Sequence, residues 1–141
     1  MFDFKIYGHK NMTDKYRHLH IKLTPQRLAI FKFMEGNKSH PSAEAIFSAV
    51  KKQYPTMSFA TVYNTLDALK NKGGIRELKI DSVKKRYDPD LTPHHHMICV
   101  TCHQIFDLFA DIEVSITDEL IQGFKIHDKN IEITGLCRNC Q

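Results

Sequence analysis

The chain has 141 residues, of which 42% are hydrophobic, enough to bury a real core and to exclude wholesale disorder. No apolar run approaches the roughly 18 residues that a membrane span needs, and the first ten residues lack the apolar centre of a signal peptide. We therefore expect a cytoplasmic protein with no membrane partner, in which four cysteines are more suited to metal binding than to disulfides.

The net charge of +4 conceals an uneven distribution of charge along the chain. Residues 1–90 hold 17 Lys and Arg against 9 Asp and Glu, whereas residues 91–141 hold 3 against 7. A basic half joined to an acidic half indicates that the first half binds a polyanion such as nucleic acid. An unevenly charged, solvated surface without a partner is the alternative interpretation.

The basic half predicts three helices, after a short helix over residues 12–18. Each of the three follows a residue type that caps helix N-termini, and these residues are Thr24, Ser42 and Ser58. Apolar side chains then recur at helical spacing until a helix-breaking residue ends each run. The runs end at Gly36, before Pro55, and at the pair Gly73 and Gly74.

A basic hairpin is predicted after the third helix. Leu78 and Ile80 alternate with polar residues as in a half-buried strand, residues 81–84 form a polar turn, and residues 85–87 return. Three short helices followed by a basic hairpin describe a winged helix-turn-helix. A three-helix bundle with a hairpin that plays no part in binding is the alternative.

A winged helix-turn-helix would place its third helix in the major groove of double-stranded DNA and its wing against the phosphates. We expect four side chains at the start of the third helix to face the bases, namely Ser58, Thr61, Tyr63 and Asn64. We expect four basic side chains of the hairpin to meet phosphates, namely Lys79, Lys84, Lys85 and Arg86.

Residues 89–93 contain two prolines and no helical period, so they are interpreted as a hinge. Residues 1–88 would then form an N-terminal extension and the winged-helix DNA-binding domain, and residues 94–141 a metal-binding dimerisation domain. The second domain is too small to fold on its own core without a metal or a partner subunit. The predicted fold class is α+β, a winged helix-turn-helix plus a small α/β domain with structural zinc.

The second domain predicts three strands and one helix. The strands are expected over residues 97–100, 105–109 and 130–134. One amphipathic helix is expected over residues 112–124, because Ile112, Ile116 and Leu120 recur every four residues.

Two C-x-x-C pairs, separated by 34 residues, begin and end this domain. Four thiolates presented by two tight turns suit one tetrahedral zinc ion, and such a closed shell points to a structural role. The ligands would be Cys99, Cys102, Cys137 and Cys140. A redox-active thiol pair is the alternative, as is a zinc hydrolase or deaminase, but the shell has no open position for a catalytic water.

Histidines and carboxylates define a second candidate metal site. His94 and His96 share one face of a strand, Asp107 lies in the next strand, Asp88 ends the wing, and His40 precedes the second helix. This mixture of nitrogen and oxygen ligands suits Fe²⁺ or Mn²⁺ better than a thiolate-loving ion. Surface histidines without a metal are the alternative.

The chain resembles the ferric uptake regulator family in the order and spacing of its motifs from about Leu19 to Cys140. The matching motifs are Thr24-Pro25-Gln26-Arg27, His40-Pro41, the segment Ser58 to Leu66, Arg86-Tyr87-Asp88, the run His94 to His96 and both cysteine pairs. It is most similar to the peroxide-sensing (PerR) branch, because Asp107 stands where iron-sensing members typically carry Glu.

The resemblance implies a homodimeric repressor, not an enzyme, that binds an A/T-rich inverted-repeat operator of oxidative-stress or metal-homeostasis genes. It implies structural Zn²⁺ on the four cysteines, and regulatory Fe²⁺ or Mn²⁺ on His40, Asp88, His94, His96 and Asp107. Peroxide would act through iron-catalysed oxidation of His40 or His94. An iron-, manganese- or zinc-responsive repressor of metal uptake without peroxide sensing remains the alternative.

Overall fold

The computed structural model describes residues 16–80 and 84–141, and the chain divides into two compact units with the boundary between Leu91 and Thr92. The expected N-terminal extension and residues 12–15 of the first expected helix lie outside the described residues. None of the helices in the described ranges combines the length and the apolar character that crossing a membrane would require.

The first unit contains three helices, α1 (Pro25–Met34), α2 (Ala43–Lys51) and α3 (Phe59–Asn71). Each begins as predicted, after a hydroxyl side chain that accepts a hydrogen bond from a backbone N–H in the first turn. The oxygens of Thr24, Ser42 and Ser58 lie 3.2, 3.3 and 3.1 Å from the nitrogens of the residues three positions ahead. Gly73, at φ +71°, follows the end of α3 in the left-handed conformation that glycine adopts without strain.

The core of the first unit lies between the three helices. The fully buried side chains of this core come from all three helices, and they include Ile30, Phe31, Met34, Ile46, Val62, Leu66 and Leu69. Burying one large aliphatic or aromatic side chain stabilises a fold by about 1.5–3 kcal/mol. The helix α3, which carries the candidate base-contacting residues, is therefore held against α1 and α2 by a continuous apolar core.

The hairpin pairs β1 (Arg76–Leu78) with β2 (Arg86–Asp88) in antiparallel register, and Leu78 lies opposite Arg86. The first strand ends before Lys79, two residues earlier than predicted, and the returning strand lies one residue later than predicted. The expected turn falls largely on residues 81–83, outside the described residues. On its other side β2 contacts the segment before α2, through a bridge between Arg86 and Ser42.

The second unit contains a three-stranded sheet in the order β4-β3-β5. Its strands are β3 (His95–Cys99), β4 (Ile105–Leu108) and β5 (Glu132–Gly135), and a 3₁₀ turn follows at Arg138–Cys140. β3 pairs antiparallel with β4 and parallel with β5. All three strands lie within two residues of the predicted positions.

The predicted helix over residues 112–124 is wrong in extent, since only α4 (Asp118–Ile121) is helical. The apolar period is present, but its side chains have no core to pack against: Leu120 is 71% exposed and Phe124 is 72% exposed. Most of the stability of a helix this short comes from packing of its apolar face. An apolar period of four residues is therefore not enough to form a helix here, because no other part of the described chain covers the apolar face.

Buried apolar side chains are scarce in the described part of the second unit, where Cys99 and Ile105 are the buried hydrophobic residues. Large exposed hydrophobic side chains are abundant there by contrast, and they include Met97, Val100, Phe106, Phe109, Val114, Ile116, Leu120, Phe124, Ile126, Ile133 and Leu136. A unit with this composition needs a cross-link or a covering partner to be stable.

Candidate metal centres and nucleic-acid interface

The two cysteine pairs lie at the ends of neighbouring parallel strands. Cys99 ends β3 opposite Gly135, the last residue of β5, and the Val100 N–H donates to the Gly135 carbonyl over 2.9 Å. Each pair then turns tightly, through residues 100–102 in one case and the 3₁₀ turn in the other. The strand pairing brings the four thiols to one end of the sheet.

The geometry of these thiols fits one tetrahedral zinc ion. All four cysteines are free thiols, and their sulfur atoms lie within 4.8 Å of one another. Zinc–sulfur bonds of about 2.3 Å in a tetrahedron place the sulfurs about 3.8 Å apart. The Sγ atoms of Cys102 and Cys137 are 3.7 Å apart, so the cluster needs little adjustment to hold the ion.

Electrostatics within the cluster also favour a cation. Backbone N–H groups of Cys102 and Cys137 hold the pKa of Cys99 down to about 6, and the Cys137 nitrogen lies 3.4 Å from its sulfur. Hydrogen bonding with the Cys137 thiol raises the pKa of Cys140 to about 12. Neighbouring thiolates oppose one another's ionisation, and a positive ion bound between them would offset that repulsion.

Two histidines and one aspartate of the second unit form a compact nitrogen and oxygen cluster. His96 lies directly opposite Asp107 in the β3–β4 pair, and His94 lies two residues before His96. His94 Nε2 is 3.1 Å from His96 Nε2 and 3.3 Å from Asp107 Oδ1, and His96 Nε2 is 3.8 Å from that oxygen. Donors bound to one octahedral ion at about 2.1 Å are about 3 Å apart when adjacent, so these three atoms suit one face of such an ion.

A backbone contact sets the orientation of His94. Its Nδ1 lies 2.7 Å from the Thr92 carbonyl oxygen, which can only accept, so Nδ1 carries the hydrogen. Nε2 is then the ring nitrogen that faces the cluster and can offer its lone pair to a metal, the arrangement that metal-binding histidines generally have. His95 alternates to the other face of β3, and its Nδ1 accepts from the Ile131 N–H, just before β5, over 3.2 Å.

His40 and Asp88 form a buried pair in the first unit, with 0% and 1% exposure. His40 Nε2 and Asp88 Oδ2 are 4.0 Å apart. The other carboxylate oxygen, Oδ1, accepts from the Asp90 N–H over 2.8 Å, which fixes the side chain so that Oδ2 is turned toward His40. This pair offers one further nitrogen and one further oxygen to a metal.

The candidate base-reading residues occupy the start of α3. Asn64 and Ser58 are exposed, and Tyr63 and Thr61 are half-buried. The Ser58 hydroxyl caps the helix and also lies 2.9 Å from the Thr61 hydroxyl, so both side chains are part of the N-terminal cap of α3. Phe59 was not among the residues predicted to face DNA, although it is 40% exposed beside Tyr63, with 6.4 Å between the ring centroids.

The wing contacts α3 through Lys85 and Glu77. Lys85 Nζ donates to the Tyr63 hydroxyl over 3.0 Å and lies 5.4 Å from the centre of its ring. The Glu77 carboxylate lies 3.7 Å from Lys85 Nζ and 2.9 Å from Lys70 Nζ. The hydrogen bond to Tyr63 and the charge of Glu77 raise the pKa of Lys85, so it is cationic at neutral pH.

The remaining wing cations differ in their surroundings. Lys79 and Lys84 are exposed. Arg86 donates instead to the backbone carbonyls of Ser39 and His40, beside the candidate metal ligand. The sequence did not indicate this contact, since a basic wing residue could equally face a phosphate.

Comparison with known proteins agrees with this arrangement. The model of the Ferric uptake regulator family matches residues 18–134. The "Peroxide operon regulator" of Bacillus subtilis is 32% identical over 133 residues, covering 93% of this chain and 92% of the relative. The "Peroxide-responsive repressor PerR" of Staphylococcus saprophyticus is 36% identical over 124 residues, covering 86% and 83%.

A solved structure of the ferric uptake regulator from Francisella tularensis with iron is also similar, with a TM-score of 0.67 and 32% sequence identity. The match covers 85% of this chain and 94% of that one. The family match spans most of the chain, and it includes α1 to α3, the hairpin and the sheet of the second unit. The chain belongs to the ferric uptake regulator family.

Proposed function

We propose that the protein is a metal-dependent, DNA-binding transcription repressor of oxidative-stress or metal-homeostasis genes that senses peroxide. The observation that carries this proposal is the cluster of His94 Nε2, His96 Nε2 and Asp107 Oδ1 at 3.1–3.8 Å, a donor set for iron or manganese. Relatives named as a peroxide operon regulator and as a peroxide-responsive repressor support the choice of signal.

The four cysteines hold structural zinc in this proposal. The ion ties the end of β3 to the turn after β5 and leaves no ligand position for substrate. The second unit has little buried apolar surface, so the zinc supplies much of the folding free energy of that unit.

The regulatory metal is bound by five ligands in two groups. His40 and Asp88 come from the DNA-binding unit, and His94, His96 and Asp107 come from the second unit. An ion bound by both groups favours one relative orientation of the two units, because it has higher affinity for that orientation. Operator half-sites have a fixed spacing, so a dimer held in one orientation fits them best.

Iron makes this site responsive to peroxide in the proposed mechanism. A ferrous ion held by these residues would activate hydrogen peroxide, so that one peroxide oxygen atom is inserted into a C–H bond of a neighbouring imidazole and the other leaves as water. His40 and His94 are the expected targets. The chain's own contribution is positional: the Thr92 carbonyl holds the His94 ring toward Asp107, and an oxidised imidazole binds metal poorly.

A homodimer follows from the exposed apolar surface of the second unit. Leu120 of α4, Phe124 shortly after it and Phe109 just after β4 are each more than half exposed. Exposed apolar patches of this kind mark protein–protein contacts. We expect a second copy of the chain to cover them, and residues 112–124 to be more helical when it does.

The proposal is tested by operator binding with and without metal. Zinc-replete protein is titrated with Mn²⁺ while fluorescence anisotropy follows an A/T-rich inverted repeat selected from random duplexes. Manganese should tighten binding about 5- to 150-fold, the usual range of allosteric coupling, with no effect on a scrambled duplex. Equal operator affinity with and without manganese would contradict metal-dependent repression.

Replacing Tyr63 tests the docking of α3. Tyr63→Ala should lower the ratio of operator to non-specific affinity about tenfold, the order of one base contact. Tyr63→Phe keeps the ring beneath Lys85 and removes only the hydroxyl, so it separates ring contacts from the hydrogen bond. Unchanged specificity in both variants would show that α3 does not read bases at this position.

A further inference from the structure

His40 has a backbone conformation that non-glycine residues rarely adopt. Its φ is +48°, in the left-handed region, and its side chain is fully buried. Conformations of this kind persist only where surrounding contacts hold them. The loop before α2 must therefore be held by contacts from elsewhere in the first unit.

Those contacts come from β2. Arg86 Nε donates to the His40 carbonyl, and Arg86 Nη2 donates to the Ser39 carbonyl over 3.2 Å. The Tyr87 N–H donates to the Pro41 carbonyl over 3.1 Å. Three consecutive carbonyls of the loop are thus held by two consecutive residues of the wing strand. A planar guanidinium, with donors in a fixed fork, suits two successive carbonyls better than an ammonium does.

The same strand carries the neighbouring candidate ligand. Asp88 follows Tyr87, and its Oδ2 lies 4.0 Å from His40 Nε2. Holding the loop against β2 therefore sets the distance between the two ligand atoms that the first unit supplies. We propose that Arg86 is a positioning residue for the regulatory metal, not a phosphate contact, an inference that rests on the proposed function.

Two wing cations make a matched test. Lys84 is exposed and directly precedes Lys85, whereas Arg86 contacts the loop before α2. The full-length, zinc-replete protein is compared as parent, Arg86→Gln, Arg86→Lys and Lys84→Gln. Two quantities are measured: the Kd for Mn²⁺ by calorimetry, and the salt dependence of binding to non-operator DNA. Zinc content and far-UV circular dichroism report whether each variant is folded.

Arg86→Gln should raise the Kd for Mn²⁺ at least about tenfold, the cost of losing an outer contact that orients a ligand, and leave the salt slope unchanged. Arg86→Lys should recover part of the affinity, because an ammonium can still donate to one carbonyl. Lys84→Gln should leave the Kd unchanged and reduce the salt slope by about one.

Arg86→Gln with the parent's manganese affinity and a lower salt slope would overturn the inference and make Arg86 a phosphate contact. A loss of affinity that Arg86→Lys does not restore at all, with zinc lost too, would overturn it in favour of a general structural role. A parent protein that binds no manganese would instead overturn the proposed function on which the inference rests.

Discussion

Cys99→Ser should yield a protein without zinc whose second unit is unfolded and which is monomeric. Structural zinc sites contribute about 10–16 kcal/mol of apparent binding free energy at neutral pH, and this free energy is available only to the folded state. The second unit cannot replace that contribution, since its buried hydrophobic residues are Cys99 itself and Ile105. Zinc content by mass spectrometry, sedimentation and circular dichroism measure the three expected changes.

Thr101→Ser is the matched control, because Thr101 is exposed in the same turn and is not a thiol. It should keep zinc, the dimer and the fold. A zinc-free Cys99→Ser protein that remained dimeric and folded would show that the four thiols are dispensable for folding.

His96→Ala should be folded, dimeric and zinc-replete, yet fail to bind operator at manganese concentrations that saturate the parent. The substitution removes a donor that lies 3.1 Å from His94 Nε2 and 3.8 Å from Asp107 Oδ1. Loss of an outer contact costs about 10- to 100-fold in metal affinity, so loss of a direct ligand should cost at least that. Calorimetry with Mn²⁺ and anisotropy with the operator measure the two effects.

The zinc should be unaffected in this variant, because the thiol cluster and the histidine cluster have no residue in common. His127→Ala is the control, since His127 is exposed in the same unit and lies outside both clusters. An operator-binding His96→Ala protein at parental manganese concentrations would remove His96 from the regulatory site.

Local chemistry made the helices of the first unit predictable. The side chains of Thr24, Ser42 and Ser58 accept hydrogen bonds from backbone N–H groups three positions ahead, so each cap can be recognised from a few consecutive residues of the sequence. The helix predicted over residues 112–124 has no such cap. Only four of its residues are helical, because the described part of the chain offers no surface for its apolar side chains to pack against.

The candidate metal ligands were predictable in part for a similar reason. His94 and His96 share a strand face, and the cysteine pairs are close in sequence, so spacing alone indicated each cluster. The contacts that orient those ligands were not predictable. Arg86 reaches a loop 46 residues away, and a carbonyl and a phosphate are both acceptors that an arginine in a basic wing could contact.

Peroxide treatment of iron-loaded protein, bound to its operator and kept anaerobic, tests peroxide sensing most directly. Peptide mass spectrometry should find a single added oxygen atom on His40 or His94, and anisotropy should report release of the DNA. Manganese-loaded protein, treated identically, should gain no oxygen and stay bound. Oxidation confined to the cysteines would indicate a thiol sensor, and iron-loaded protein that remains unoxidised and bound would contradict peroxide sensing.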